Sequence, residues 1–233
     1  HLKIGGPAVA GKVDWSEDFL CEMQKRNVPI DFFSWHVYCY EIEKLTIRAN
    51  KMKALLVKYG YENAESILNE WNYVKGWQGE EYLYTIKQHI RLKNASFITA
   101  CMSAAQHCDI DMLMYYDTRP GIWCGIFEFY THAPLKGYYP MMWYGKFYDM
   151  QYMTYAQNEI ADIYSLCSVD ENGKSLTMLT YYSDDDNAPN KKVKLNFGKT
   201  AEYEVYIVDN EHDGECIGTV SDLEFDLAVH TCL

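Results

Sequence analysis

Four times in its first ~145 residues this chain sets a short apolar run before a longer stretch with helical spacing, and that alternation restricts the fold more than any other feature. Residues 3–5 read as a short β run that breaks at Gly5-Gly6-Pro7. Residues 14–26 follow as a helix with Phe19, Leu20 and Met23 on one stripe. After the turn at Asn27-Val28-Pro29, residues 30–38 read as a buried strand. Residues 41–59 form a long amphipathic helix with Leu45, Arg48, Met52, Leu55 and Leu56 at helical spacing, stopped by Gly60. The next pair is a strand over 64–70 and a helix over 80–107; a fourth strand covers 111–116, and 135–150 hold one more helix. Apolar strands alternating with helices imply a parallel sheet covered by helices on its faces. A closed (β/α)8 barrel needs eight such units. Only four can be counted, so the expectation is an α/β half-barrel.

The texture changes from about residue 160. Short strand-like runs at 160–168, 176–182, 192–196, 203–208 and 223–230 are separated by turn-rich pieces such as Asp170-Glu171-Asn172-Gly173. This predicts a small all-β sandwich over 151–233 behind a barrel segment over 1–150. The acidic loop Asp184-Asp185-Asp186 reads as a solvated turn rather than a calcium site.

Composition removes several function classes. The formal net charge is −12, which disfavours a grip on nucleic acid or an anionic membrane. No apolar run approaches the roughly 20 residues of a membrane-spanning helix. Eight cysteines, Cys124 among them, are scattered without zinc spacing, so no metal and no cofactor is expected. Several lie in apolar runs, as reduced thiols do, which favours a reducing, cytoplasmic compartment. The sequence opens at His1 with no signal-like segment, which leaves secretion undecided. There is no GxSxG elbow, Walker loop or HExxH, and Gly5-Gly6-Pro7 lacks dinucleotide-binding spacing.

The segment AESILNEWNY, residues 64–73, is where chemistry is expected. Strand C-termini form the active-site rim of a (β/α)8 barrel, and Glu70 falls at such an end. Strict alternation puts Ser66, Leu68 and Glu70 on one face. A carboxylate there needs a cleft, a partner or both. The preceding strand closes with Trp35-His36-Val37-Tyr38, so His36 and Tyr38 share a face at the same rim level. Imidazole and phenol both donate to sugar hydroxyls or to a carboxylate. Trp71 and Asn72 follow Glu70 directly. Tyr116 and Trp123, with Asp117 and Arg119 between them, complete the candidate substrate-binding set, and Trp123 offers a face for stacking on a sugar. Glu128 is a weaker candidate.

Three stretches, KIGGPAVAG (3–11), PIDFFSWHVY (29–38) and ESILNEWN (65–72), occur in an order that resembles glycoside hydrolase family 39, the β-xylosidase and α-iduronidase group. The resemblance covers strands five to seven of the family barrel and the sandwich behind it, so it implies the C-terminal half of a (β/α)8 glycosidase. It implies that Glu70 is the catalytic nucleophile and that His36 and Tyr38 line the subsite of the cleaved sugar. The family's acid/base residue lies in an Asn-Glu-Pro motif, which this sequence lacks; Asn158-Glu159 precedes Ile160 instead. The stretch around Tyr116 also departs from the family pattern. A fragment of a retaining glycosidase, weak or inactive alone, is therefore expected, with a carbohydrate substrate. The missing N-terminal half of the barrel, or a second copy, would be its partner. The alternative is a non-catalytic carbohydrate-binding or scaffold protein derived from a glycosidase.

Overall fold

The computed structural model describes residues 2–123, 125–154 and 158–233; Cys124 lies outside the described residues. The chain packs as two units, one made of His1–Lys75 with Ala104–Asp117 and the other of Gly76–Ser103 with Thr118–Leu233. No helix of the described residues is long and apolar enough to cross a membrane.

The first unit is a four-stranded sheet in the order β1 (Gly5–Ala10), β2 (Phe32–Cys39), β3 (Glu65–Tyr73), β4 (Met112–Tyr115), with α1 (Val13–Lys25) and α2 (Ile42–Lys58) in the crossovers. All three strand pairings are parallel. The expected β-α-β-α order is present, as an open sheet rather than a closed barrel. Both helices end in the same way. Asn27 (φ 54°) follows α1 and Gly60 (φ 79°) follows α2, each in the left-handed region. The residue after each donates to a carbonyl five positions back: Val28 N to Met23 O at 3.0 Å and Tyr61 N to Leu56 O at 2.8 Å. These are Schellman closures, which satisfy orphan carbonyls at the helix end. The stripe on α2 behaves as its spacing predicts, with Leu45, Ala49, Met52, Leu55 and Leu56 buried.

Strand β1 begins where the sequence suggested a break. Proline removes a ladder donor, but β1 is an edge strand, where that loss is tolerated. The register slips between Pro7 and Val9, and Ser34 Oγ accepts the Ala8 N–H at 2.9 Å in place of a regular partner. On the opposite edge, Met112 and Met114 of β4 are 45% and 43% exposed.

The second unit contains α3 (Gly79–His89), α4 (Leu92–Ala105), α5 (Tyr138–Lys146) with a 3-10 turn at Phe147–Asp149, and seven strands. The helix expected over 80–107 is two helices. It breaks after His89, whose carbonyl accepts the Asn94 side-chain N–H at 3.1 Å, so a side chain replaces the lost backbone donor. No Gly or Pro marks that break.

The strands are β5 (Tyr152–Thr154), β6 (Ile163–Val169), β7 (Ser175–Tyr181), β8 (Lys191–Lys194), β9 (Tyr203–Val208), β10 (Asp213–Val220) and β11 (Glu224–Leu227). They pair antiparallel as β5-β6-β7, β9-β10 and β8-β11. Cys232 bridges Thr180 of β7 and Val208 of β9, so the last residues lie between those two strands. A core of Ile163, Leu179, Tyr181, Val193 and Leu227 joins β6 and β7 to β8 and β11.

The acidic loop is not solvated throughout. Lys93, 1% exposed, donates to Asp184 O at 2.7 Å, Asp186 Oδ1 at 2.9 Å and Tyr84 Oη at 2.9 Å. Asp186 also accepts from Tyr84 Oη at 2.6 Å and meets His230 Nε2 at 3.1 Å, while His230 Nδ1 meets Ser96 Oγ at 3.1 Å. Burial alone would raise the Asp186 carboxyl, but the donors Tyr84, Lys93 and His230 outweigh it and bring it down to about 2. Among the described residues no His, Cys, Asp and Glu cluster could hold a metal ion. Among the described residues, Cys21, Cys39, Cys108, Cys167, Cys216 and Cys232 are free thiols. Burial pushes Cys39 up to about 12 and Cys232 up to about 11, as expected of thiols that act as small hydrophobes.

Candidate active site

Glu70 reaches its neighbours because β3 is not regular. Along β2 and β3, Ser34 pairs with Ile67 and Trp35 with Leu68, but His36 pairs with Glu70. Asn69 is thus one extra residue, a bulge that reverses the alternation downstream. Before the bulge, Ser66 lies with Trp35, whose Nε1 donates to Ser66 Oγ at 3.0 Å in the buried layer. After it, Glu70 lies with His36 and Tyr38 on the other face. The expectation that Ser66, Leu68 and Glu70 share a face is therefore corrected. A one-residue slip exchanges the faces of every residue beyond it.

The three residues form one polar cluster around the carboxylate. Tyr38 Oη donates to Glu70 Oε2 at 2.7 Å, and His36 Nδ1 lies 3.2 Å from the same oxygen. Burial first, then the Glu70 carboxylate, push the Tyr38 phenol far above its ordinary range, so it stays a donor at any physiological pH. Glu70 Oε1 has no hydrogen bond among the described residues, and the side chain is 30% exposed. One oxygen is held by the Tyr38 hydroxyl with the His36 ring beside it, and the other is available. The far ring nitrogen of His36, Nε2, is buried without a partner among the described residues. A buried polar atom of that kind ordinarily acquires a partner, from solvent or ligand.

Behind the carboxylate, Asn72 is fully buried. Its Nδ2 donates to Tyr116 O at 2.6 Å, and its Oδ1 accepts from Tyr115 Oη at 3.0 Å and Tyr73 N at 2.7 Å. It ties the end of β3 to the end of β4. Trp71, 1% exposed, packs edge-on against Tyr115 with ring centroids 5.1 Å apart. The structure thus places Trp71 and Asn72 in the support of the site, and Tyr116 beside it: its ring meets that of Tyr38 edge-on at 6.4 Å. Trp123 belongs to the second unit, where it packs with Trp77 (5.6 Å), His89 (5.2 Å) and Tyr82 (6.0 Å). Glu128 is committed to its own turn, its Oε2 accepting from Tyr130 N, Thr131 N and Thr131 Oγ1. Thr131 and its neighbours hold that carboxyl below its usual range. Sequence reasoning missed the bulge at Asn69, which sets the face of Glu70.

No family model matches the chain. A curated β-xylosidase of Geobacillus stearothermophilus is 51% identical over 39 residues, 16% of this chain and 8% of that protein. Among solved structures, a glucosidase from Croceicoccus marinus aligns with a TM-score of 0.74 at 17% identity, covering 99% of this chain and 59% of the other. A monomeric β-xylosidase from Caulobacter crescentus CB15 aligns with a TM-score of 0.65 at 10% identity, over 99% and 60%. AbfB, a family 51 α-L-arabinofuranosidase from Bifidobacterium longum, gives 0.65 at 12% identity, over 98% and 57%. The chain therefore has an α/β fold of the kind found in glycoside hydrolases. It spans about three-fifths of the length of these structural neighbours.

Proposed function

We propose that the chain is part of a retaining, β-xylosidase-like glycoside hydrolase of the family 39 type. In this reading residues 1–150 are the C-terminal half of a (β/α)8 barrel and residues 151–233 a β-sandwich. The carrying observation is the Glu70 carboxylate, with one oxygen held by Tyr38 and His36 and the other unbonded.

That asymmetry suits a nucleophile. The free Oε1 attacks the anomeric carbon and the glycosidic C–O bond breaks, giving a covalent glycosyl-enzyme that water later hydrolyses. Tyr38 and His36 keep the carboxylate from rotating, so its approach is fixed before the sugar arrives. His36 Nε2 and Tyr116 face the sugar, and Asn72 and Trp71 hold the strand ends. A second carboxyl group must protonate the leaving oxygen. It is assigned to sequence outside this chain, because the Asn-Glu-Pro motif is missing here. Lack of that acid costs about 10²–10⁴-fold on natural glycosides. The open edges β1 and β4 are completed by the first half of the barrel or, failing that, by a second copy.

An activated fluoro-xyloside with a dinitrophenolate leaving group needs no acid, so it isolates the nucleophilic step. The purified chain is expected to gain one fluoro-xylosyl mass on the peptide holding Glu70, and Glu70→Gln to gain none. Labelling elsewhere, or equal labelling of the variant, would refute the assignment. The missing motif also favours a non-catalytic sugar-binding reading, for which xylose would bind with no adduct.

A further inference from the structure

A cavity of about 410 Å³ lies wholly in the second unit, and none of its walls belongs to the Glu70 site. Its volume falls in the ordinary range of small-molecule sites, about 300–1,000 Å³. The walls are rich in rings. Trp143 comes from α5, Phe147 from the 3-10 turn that follows it and Phe225 from β11, while Phe197 and Tyr203 flank the entry to β9. Phe197 and Tyr203 pack with centroids 4.9 Å apart and 32° between their planes. Phe147, Phe197, Tyr203 and Phe225 are only partly buried, so each keeps ring surface that a flat apolar body can cover.

The polar groups of the walls select for an anion. Lys146, Lys174 and Lys199 line the cavity of a chain whose formal net charge is −12. None of the three forms an ion pair among the described residues. Lys146 Nζ lies over the Tyr206 ring at 5.2 Å, and Lys199 Nζ donates to Gly173 O at 3.0 Å. Of the carboxylates in the walls, Glu204 accepts from Tyr206 Oη at 3.1 Å, which leaves Glu202 to face three ammonium groups. The main chain adds donors. Leu179 of β7 exchanges both backbone hydrogen bonds with Leu233. Alternate residues of an antiparallel ladder turn their N–H groups to the same side, so Thr177 and Ser175, both in the wall, turn theirs that way too. Trp143 Nε1 and Tyr203 Oη are buried with no partner among the described residues. Donors thus outnumber acceptors around this cavity.

We infer that this cavity is a binding site for a small aromatic carboxylate, its rings lying among Trp143, Phe147, Phe197 and Phe225 and its carboxylate turned to the lysines. A flat aromatic body meets ring-lined walls by stacking or edge-on contact. The carboxylate meets the surplus of cations and N–H donors through charge-assisted hydrogen bonds. The inference uses no residue of the first unit and does not depend on the glycosidase reading.

The probe is 2-naphthoate, with 2-naphthamide as its neutral counterpart and decanoate as an aliphatic anion. Binding to the whole chain is followed by calorimetry and by the NMR signal of the Trp143 indole N–H. At low salt the naphthoate should bind about tenfold more tightly than the amide and shift the Trp143 signal, and added salt should narrow the gap. Lys146→Met, Lys174→Met and Lys199→Met together should abolish the preference and leave affinity for the amide unchanged. Ala201→Trp, which puts an indole into the cavity from a loop position, should lose both naphthyl ligands with circular dichroism unchanged. Equal affinity for naphthoate and amide, an unmoved Trp143 signal or full binding by Ala201→Trp would overturn the inference. So would tighter binding of decanoate, or no binding at millimolar naphthoate.

Discussion

Replacing Asp186 by alanine should destabilise the second unit by about 3 kcal/mol at pH 7, whereas replacing its partner Lys93 by methionine should cost about 1 kcal/mol or less. The asymmetry comes from burial. The Lys93 side chain is 1% exposed and the Asp186 side chain 41%. Removing the carboxylate strands an ammonium that cannot reach water, a defect worth about 3–5 kcal/mol in buried pairs. Lys93 would keep Asp184 O at 2.7 Å, Tyr84 Oη at 2.9 Å and the Asp184 carboxylate at 3.8 Å, which points to the lower end. Removing the ammonium instead leaves a carboxylate that can turn to solvent, while methionine fills much the same volume. The double variant should then resemble Lys93→Met alone. Urea unfolding followed by circular dichroism, with slopes compared, gives the four free energies. The reasoning fails if Lys93→Met is as costly as Asp186→Ala, or if the two effects simply add. Acid provides a second arm. The folded Asp186 carboxyl is depressed to about 2, so its stabilisation is complete above the ordinary aspartate range and is lost as pH falls through about 2. After allowance for its exposure this amounts to about 1 kcal/mol. Burial also holds the His230 imidazole below its usual range despite Asp186. The unfolded chain therefore takes up that proton first, and stability should begin to fall as pH drops below about 6.5.

Tyr38→Phe removes a charge-assisted hydrogen bond to the carboxylate, so labelling of Glu70 by the activated fluoro-xyloside should slow about 10–100-fold with circular dichroism unchanged; an unchanged rate would count against Tyr38 as a positioning residue. Ser66→Ala leaves the buried Trp35 indole N–H without its acceptor and should cost about 1–3 kcal/mol in urea unfolding, a value near zero meaning that the bond contributes nothing. Gly60→Ala puts a Cβ at φ 79° and should cost about 1 kcal/mol, whereas Asn27→Gly at the equivalent end of α1 should be close to neutral. Cys39, pushed up to about 12 by burial, should resist maleimide at pH 8 until the chain is unfolded, while exposed Cys216 reacts at once, as read by mass spectrometry.

The rim level of Glu70, His36 and Tyr38 was legible because parallel strands joined by similar crossovers end together, and apolar runs mark those ends. What two-residue counting could not supply was the bulge at Asn69. Its effect depends on pairing with β2, a non-local property. The helix break after His89 was equally hidden, since Asn94 satisfies the freed carbonyl without any Gly or Pro. Strand β10 was missed because Gly214 and Gly218 sit within it at positive φ, and its register against β9 slips at Gly214 and again just before Gly218. Strand β1 was placed too early because a Pro in a strand ordinarily argues against one, and only the sheet order shows that it lies on an edge. The burial of Lys93 followed from no local pattern either. Its partners lie some 90 positions away, at Asp184 and Asp186.

The extra residue at position 69 acts as a parity switch. Deleting it would leave Glu70 and Trp71 in the chain and the strand almost as long, yet would turn the carboxylate toward the helices and away from the imidazole. A designer who grafts this strand onto another sheet must therefore transplant the irregularity with the letters, because the motif without its hiccup spells an inert surface.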